Sequence, residues 1–336
     1  MQFKWSPYKS QQVYTLTNPV RVDKQNAQST YPLLVFNPFI EGENENQYWT
    51  GTIESMDENS MHEFDSSNNL EVEDPENVAY RSNLQKAIGA CLSDEYHKLV
   101  VSRKVTVTGS MNYPAVFNEL VRNYPDCFVY HFDINGITYM GATPEKLLSV
   151  DNGYCCSASL AGTMKLSEGE KIENWGSKER NEQQLVTDYL NEAYSATCEN
   201  VSVSDVAIKS NGPICHLHSE ISGNLKDMTS FWNLLQIIHP TPAVCGLPKF
   251  KALDWIVNNE GYDRQYYTGY IGLVQENKAE FYVNLRCLKS EGLQTELYVG
   301  GGITKDSVVR DEYDETKQKQ EVLLSAIKKI HTFARQ

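Results

Sequence analysis

Two pairs of glutamates in this sequence could bind a divalent cation. Glu179 and Glu182 lie in SKERNEQQ, and Glu312 and Glu315 lie in RDEYDETK, each pair spaced i, i+3 near the start of a predicted helix. Such pairs share a helix face, but the helix dipole alone also favours carboxylates at this end. The spacing leaves two interpretations open: solvated helix ends, or carboxylates from two helices presented to one hard cation such as Mg²⁺.

Three consecutive glycines, Gly300 to Gly302, precede the second glutamate pair. Glycine is costly inside strands and helices, so three together usually mean that the backbone must come close to something or must take positive φ. Lys319 follows Glu315 by four residues, and an ion pair along the helix is the simpler interpretation of that spacing.

Four further side chains could support chemistry, although each also has a structural explanation. Lys98 precedes a predicted strand in DEYHKLVVSR and could be a surface lysine, and Glu145 in GATPEKLL could cap a helix after Pro144. Arg286 lies in the predicted apolar strand YVNLRCL, where it needs an ion-pair partner or could clamp a substrate carboxylate. His216 in ICHLHSEISG is more often a hydrogen-bonded structural histidine than a catalyst.

Composition limits the possible size, binding partners and cellular compartment of the protein. The chain has 336 residues, 40% of them hydrophobic, which is enough for one large domain or two ordinary ones. A net charge of −14 argues against nucleic-acid binding. Eight cysteines without a C-x-x-C pair favour reduced thiols in the cytoplasm. The N-terminus lacks the apolar core of a signal peptide, and no apolar run is long enough to span a membrane.

The elements that must position these residues alternate between strands and helices. Predicted helices cover about Val78–Leu92, SKERNEQQLVTDYLNEAYSAT, and Glu312 to about Phe333. FWNLLQIIHPTPAV is predicted to form a short apolar helix that is stopped by Pro240 and Pro242. Predicted strands are Tyr31–Phe36, Leu99–Gly109, two hairpins turning at Asn135-Gly136 and Asp151-Asn152-Gly153, and the late segments GYIGLVQEN, EFYVNLRCLKSE and LQTELYVGGG. The acidic stretch MDENSMHEFDSSNNLEVEDPEN is predicted to be a loop or linker. The pattern indicates an α+β chain with large antiparallel sheets, without a G-x-G-x-x-G motif or a P-loop.

Ten segments resemble the chorismate-utilising enzymes, in that family's order: KLVVSR, GATPEKLL, SLAGTMK, SKERNEQQLV, HLHSEISG, HPTPAVCGLPK, GYDRQYYTGYIG, VNLRC, GGGIT and DEYDETKQK. The family includes isochorismate synthase, salicylate synthase, anthranilate synthase component I and aminodeoxychorismate synthase. The resemblance implies antiparallel sheets packed as a sandwich with helices outside. It also implies one chorismate-binding domain over 1–336, with a short divergent N-terminal part at about 1–75 and a family-matching core at about 78–336.

By this resemblance, chorismate is the substrate and Mg²⁺ the cofactor. Glu182 and Glu315 are the expected metal ligands, and Glu179 and Glu312 are expected to lie nearby or to act through water. The metal would bind the ring carboxylate of chorismate, and Lys319 would add positive charge at that end.

The resemblance also implies residues for the rest of the substrate. Arg286, with Tyr267 and the glycine turn, would hold the enolpyruvyl carboxylate. The remaining expected substrate-binding residues are Ala161, Gly162, Thr163 and His216.

Smaller features favour isochorismate synthase within the family. Ala161 stands where aminodeoxychorismate enzymes carry a nucleophilic lysine, and Met164-Lys165-Leu166 stands where anthranilate synthases usually have R-x-R-G. The resemblance then implies that Lys98 is the general base for a water that attacks C2. Glu145 would be the general acid for the departing C4 hydroxyl.

A monomer without a redox cofactor or a glutaminase subunit is expected. Salicylate synthase and a non-catalytic chorismate-binding homologue remain as alternatives. The choice between menaquinone and siderophore biosynthesis stays open.

Overall fold

One antiparallel β-sheet connects most of the protein. The computed structural model describes residues 1–42, 46–56, 70–73, 78–211 and 214–333. Within these residues eighteen strands form a single sheet. The strands are β1 (Gln2–Ser6), β2 (Val13–Arg21), β3 (Leu33–Asn37), β4 (Gln47–Met56), β5 (Glu71–Glu73), β6 (Lys98–Thr108), β7 (Phe128–Ile134), β8 (Ile137–Thr143), β9 (Lys146–Asp151), β10 (Tyr154–Lys165), β11 (Cys198–Val203), β12 (Ala207–Asn211), β13 (Ile214–Leu225), β14 (Gly246–Leu247), β15 (Tyr270–Gln275), β16 (Lys278–Val283), β17 (Cys287–Glu291) and β18 (Gln294–Ile303).

Strand pairing gives the sheet a continuous order. From one edge it runs β6, β18, β17, β8, β7, β1, β2, β4, β3, β15, β16, β9, β10, β13. The short strands β5 and β14 pair with the outer side of β6, and β11 and β12 pair with the outer side of β13.

The sheet folds back on itself, so that its two halves pack face to face. Phe36 of β3 contacts Phe132 of β7 and Tyr139 of β8, with ring centroids 5.6 and 5.3 Å apart. Alternate residues of β7 point into this aromatic layer, as the two-residue period of a strand requires. Burial of these large rings is the main contribution to this part of the core.

Helices cover both outer faces of the folded sheet. They are α1 (Lys24–Ala27), α2 (Val78–Leu92), α3 (Tyr113–Asn123), α4 (Leu166–Gly169), α5 (Ser177–Thr197), α6 (Ser230–Ile238), α7 (Lys249–Asn259) and α8 (Val309–Phe333), with a 3₁₀ turn at Ile172–Asn174. One face packs against α5 and α6, and the other packs against α3 and α8. The predicted sandwich with outer helices is therefore confirmed. None of the helices in the described ranges is long and apolar enough to cross a membrane.

The helices and turns that were predicted from neighbouring residues agree well with the structure. Helices α2 and α5 have the predicted bounds, and the Asn135-Gly136 turn has positive φ at both residues. The strand predicted at Tyr31–Phe36 is β3, and the last helix begins at Val309, three residues early. Of the acidic stretch predicted to be a loop, residues 57–69 and 74–77 lie outside the described part, and β5 occupies three of the others.

The prediction of one strand through EFYVNLRCLKSE was wrong. The chain leaves the sheet after Val283 and re-enters it at Cys287, with Arg286 at φ 47. The strand before the break pairs with β9 and β15, whereas the strand after it pairs with β8 and β18. The break thus carries the chain from one half of the sheet to the other.

Candidate active site

The predicted site residues meet in one cavity, which has about 1020 Å³ of empty space with its mouth included. Its walls come from the starts of α5 and α8, from β6, β10, β13 and β18, and from the strand break. All predicted site residues except Thr163 line it: Lys98, Glu145, Ala161, Gly162, Glu179, Glu182, His216, Tyr267, Arg286, Gly300, Gly301, Gly302, Glu312, Glu315 and Lys319. Thr163 belongs to β10, but its side chain lies outside the described part of the structure.

Lys98 is buried at the first position of β6, where its backbone pairs with Leu247. Its side chain is 2% exposed, and Nζ donates a hydrogen bond to Oε1 of Glu182 at 2.7 Å. The surface-lysine interpretation is therefore wrong. A buried ammonium needs such a partner, because its desolvation is otherwise uncompensated.

The three glycines lie near the end of a strand, as predicted for LQTELYVGGG, and not in the turn that the resemblance implies. In β18, Gly300, Gly301 and Gly302 pair with Ser102, Val101 and Val100 of β6. Their φ values are not in the left-handed region, so backbone freedom does not explain them. The atoms packed over Gly300 and Gly302 explain why these positions lack side chains.

Side chains of the cavity lie over these two glycines. A Cβ at Gly302 would lie 2.7 Å from Oε1 of Glu182 and 2.8 Å from Cε of Lys98. A Cβ at Gly300 would lie 2.9 Å from the Tyr267 hydroxyl. A side chain at Gly302 would thus displace Lys98 and Glu182, and one at Gly300 would displace Tyr267. At Gly301 the nearest atom, Oε2 of Glu312, is at an ordinary contact distance of 3.6 Å.

Gly302→Ala should therefore reduce turnover sharply while the protein stays folded. The added methyl group would push Lys98 away from Glu182, and a displacement of about 1 Å can cost about 100-fold in rate. Steady-state kinetics and thermal melting would measure the two effects. Gly89→Ala in α2 is the matched control, because its Cβ would meet no atom within 4 Å and alanine favours the helix. Equal turnover in the two variants would contradict this account of the glycines.

Glu145 lies in the two-residue connection between β8 and β9, and no helix follows it. The helix-cap interpretation is therefore wrong. Burial raises the pKa of its carboxyl to about 7, although the positive charges of Lys98, Lys209, Lys319 and Arg286 oppose the shift. A carboxyl that keeps its proton near neutral pH can act as a general acid.

Arg286 faces the same cavity from the strand break. Burial lowers its pKa, and it forms no ion pair with the residues described. The predicted alternative of an internal ion pair is thus not what the structure contains. An arginine without a carboxylate partner in a cavity can bind the carboxylate of a ligand.

His216 and Lys319 hold parts of the wall in place. Nδ1 of His216 lies 2.8 Å from the carbonyl oxygen of Gly162, and burial lowers the histidine pKa to about 4. The neutral ring therefore donates its Nδ1 proton to that carbonyl. Nζ of Lys319 donates to the carbonyl of Gly300 at 3.1 Å and pairs with Glu315 at 2.6 Å. The expected ion pair along α8 is present, and the same lysine also faces the cavity.

The four glutamates supply the oxygen donors that Mg²⁺ prefers. All of them line the cavity, from the starts of α5 and α8. Within the described ranges, no three acidic, histidine or cysteine side chains are close enough to form a ready metal cluster. Glu182 and Glu315 instead pair with Lys98 and Lys319. The donor types fit a hard cation, but side chains have to turn toward it.

Sequence reasoning missed the apolar part of the wall. Its residues include Val100, Leu160, Ala243, Val244, Leu285 and Tyr298. Several belong to segments that carry the family resemblance, so the motifs marked the right stretches. They gave no signal for which side chains face inward.

Comparison with known proteins places the chain in a family. Residues 2–328 match the family described as chorismate binding enzymes, and the chain belongs to that family. It is 30% identical over 256 residues to the isochorismate synthase MenF of Bacillus subtilis, covering 73% of this chain and 54% of that protein. It is 25% identical over 293 residues to the isochorismate synthase EntC of Escherichia coli K12, covering 82% of this chain and 75% of that protein. The chain thus spans about half the length of the Bacillus relative.

Solved structures have the same fold. The menaquinone-specific isochorismate synthase MenF of Escherichia coli superposes with a TM-score of 0.81 at 19% identity, covering 97% of this chain and 88% of that one. Anthranilate synthase component I of Streptococcus pneumoniae gives a TM-score of 0.76 at 16% identity, covering 96% and 92%. At these identities the likeness concerns the fold.

Proposed function

We propose that this protein is an isochorismate synthase, which isomerises chorismate reversibly to isochorismate. One observation carries the proposal: Lys98 and Glu145, whose pKa is raised to about 7, reach the same cavity from different segments. Beside them lies Arg286, which has no ion-pair partner among the described residues. A base and an acid in one site suit a reaction in which one hydroxyl arrives and another leaves.

In this mechanism the neutral amine of Lys98 accepts a proton from a water molecule. The water oxygen forms a bond to ring carbon C2, and the ring double bonds shift. The bond from C4 to its hydroxyl breaks as Glu145 donates a proton, so that water leaves. One water is taken up and one is released, and no redox cofactor is needed. After turnover Lys98 returns that proton to solvent and Glu145 takes one up, which restores the starting state. Ala161, where amino-transferring relatives carry lysine, leaves room for the attacking water.

The protein has a net charge of −14, but basic side chains line the cavity, so a substrate with two negative charges can bind there. Arg286 and Tyr267 would bind the enolpyruvyl carboxylate, together with the backbone beside Gly300. The ring carboxylate would lie near Lys319 and the four glutamates. Those glutamates would hold Mg²⁺, with Glu182 and Glu315 as the principal ligands. When bound, the metal would neutralise the ring carboxylate and fix its orientation.

Product analysis tests the proposal. Purified protein is incubated with chorismate and Mg²⁺, without ammonia or glutamine, and the products are separated chromatographically. The same mixture of chorismate and isochorismate, reached from either side, is expected. Salicylate with pyruvate would assign the chain to the salicylate synthases instead. Binding without turnover would indicate a non-catalytic homologue, and turnover only with ammonia would contradict the interpretation of Ala161.

Glu315→Gln should weaken Mg²⁺ binding by about tenfold or more, since even residues behind the ligands of a metal site can contribute this much. Titration calorimetry with Mg²⁺ and chorismate measures binding independently of turnover. Glu321→Gln, an exposed position six residues further along α8, is the control. An unchanged Mg²⁺ titration in Glu315→Gln would remove this residue from the ligand set.

We further propose a monomer that acts without a glutaminase subunit. Light scattering on the purified protein tests its mass, and activity with chorismate alone tests its independence from a partner.

A further inference from the structure

A buried ion pair lies behind the cavity wall and has no part in the proposed chemistry. Arg264, in the GYDRQYYTG segment, donates from Nε and Nη2 to the two carboxylate oxygens of Glu260, at 2.8 and 2.5 Å. Their side chains are 1% and 0% exposed. Two charges are costly to bury, and such a pair is retained only where further hydrogen bonds satisfy both partners.

Most of the other hydrogen bonds of the pair go to the backbone of the cavity wall, and Nη1 of Arg264 also donates to the Thr268 hydroxyl at 3.3 Å. Arg264 donates from Nη2 to the carbonyl of Val100 at 2.8 Å and from Nη1 to the carbonyl of Val244 at 2.9 Å. Glu260 accepts from the backbone N–H of Ser102 at 2.7 Å and from its hydroxyl at 2.8 Å. Val100 and Val244 both line the cavity.

These contacts fix the strand on which Lys98 lies. Val100 and Ser102 follow Lys98 in β6, and on the other side they pair with Gly302 and Gly300. The ion pair therefore holds β6, which carries Lys98, in register with β18. Gly302 of β18 leaves space for the Lys98 side chain. A displacement of β6 would move Lys98 relative to everything else in the cavity.

We propose that Glu260 and Arg264 form a positioning unit for Lys98. The pair sets the location of β6 against the Val244 segment, and so places the Lys98 amine beside the substrate. The inference rests on the proposed role of Lys98. It assigns a function to the arginine of GYDRQYYTG, which faces the strand backbone and not the ligand.

Two variants test the positioning role. Arg264→Lys keeps the charge but cannot reproduce the planar donor set that reaches Glu260, Val100 and Val244 together. Ser102→Ala keeps both charges paired and removes the hydroxyl with its two hydrogen bonds, to Glu260 at 2.8 Å and to the Tyr262 hydroxyl at 2.6 Å. It therefore remains informative if Arg264→Lys does not fold. In both, kcat should fall, by about 10- to 100-fold in Arg264→Lys. KM should stay within about twofold, since substrate binding is not what is lost.

The control is a buried hydrogen-bond network at a distance from the cavity. Thr295→Val removes a hydroxyl that bonds Tyr113 at 2.9 Å and Ser290 at 2.9 Å. It should lower the melting temperature and leave kcat unchanged. A kcat loss in Arg264→Lys or Ser102→Ala no greater than in this control, or a rise in KM alone, would overturn the positioning role.

Hydrogen exchange adds a measurement that needs no catalysis. Without substrate, a peptide covering Lys98 to Arg103 should exchange about tenfold faster in Arg264→Lys than in the wild type, as local opening becomes easier. Unchanged exchange would contradict the inference. If the wild type does not convert chorismate, the proposed function fails, while the exchange result still decides whether the pair holds β6.

Discussion

Lys98→Ala should abolish the isomerisation of chorismate while substrate still binds in the presence of Mg²⁺. The variant removes the only group proposed to take the proton from water, and loss of a general base typically costs about 10² to 10⁴ in rate. Substrate binding should persist, because Arg286 and Lys319 remain. Turnover and calorimetric binding of chorismate are the two measurements.

Lys104→Ala on the same strand is the matched control for that experiment. Lys104 pairs with Glu296 at 2.5 Å and is one-third exposed. Losing such a surface pair has little effect on stability, so near-normal activity is expected. If Lys98→Ala retained turnover comparable to this control, another group would have to be the base.

Glu145→Gln should lose turnover by a similar factor of about 10² to 10⁴, since glutamine keeps the shape of the acid but has no proton to donate. Because the pKa of Glu145 is raised to about 7, the wild-type rate should fall as pH increases through 7 and the acid ionises. The residual rate of the variant should lack this dependence. A pH–rate profile of kcat measures both. Retained turnover, or the same alkaline fall in the variant, would assign the acid elsewhere.

Glu145→Gln should lower turnover but should not lower the stability of the protein at alkaline pH. The folded pKa of Glu145 is about 7 and its ordinary value is 4.5. Between these values the folded state binds more protons than the unfolded state, so its contribution to stability falls as pH rises. At pH 8 the wild type contains a buried carboxylate, which glutamine does not. The melting temperature of Glu145→Gln should therefore equal or exceed that of the wild type at pH 8.

A control separates this effect from a general loss of negative charge. Glu280→Gln removes a carboxylate that is nearly half exposed and pairs with Lys146 at 2.9 Å. It should leave kcat and its pH profile unchanged, because Glu280 does not line the cavity. A lower melting temperature for Glu145→Gln than for this control at pH 8 would contradict the account of the buried acid.

Much of the fold could be predicted from local sequence signals. Helix α5 repeats apolar residues at helical spacing, and Asn135-Gly136 is a turn that few other dipeptides could form. The family resemblance named fifteen side chains or glycines that the structure places around one cavity, of sixteen proposed. Their roles remain proposals, because shared location does not assign chemistry.

Contacts between residues that are far apart in the sequence were visible only in the tertiary structure. Lys98 and Glu182 are 84 residues apart, so the spacing of either residue could not reveal their ion pair. Gly302 has little room for a side chain because Lys98 and Glu182, from two distant segments, occupy that space. Arg286 leaves the sheet because the chain changes halves there.

By itself, therefore, the sequence determined which helices, turns and motifs form, since these depend on residues close together in the chain. Only the folded chain decided that burial raises the pKa of Glu145 to about 7, and that Arg264 hydrogen-bonds the strand of Lys98. The physical reason is that desolvation and hydrogen bonding depend on which distant segments pack together. That packing is a property of the whole sheet and is not encoded in any one of its strands.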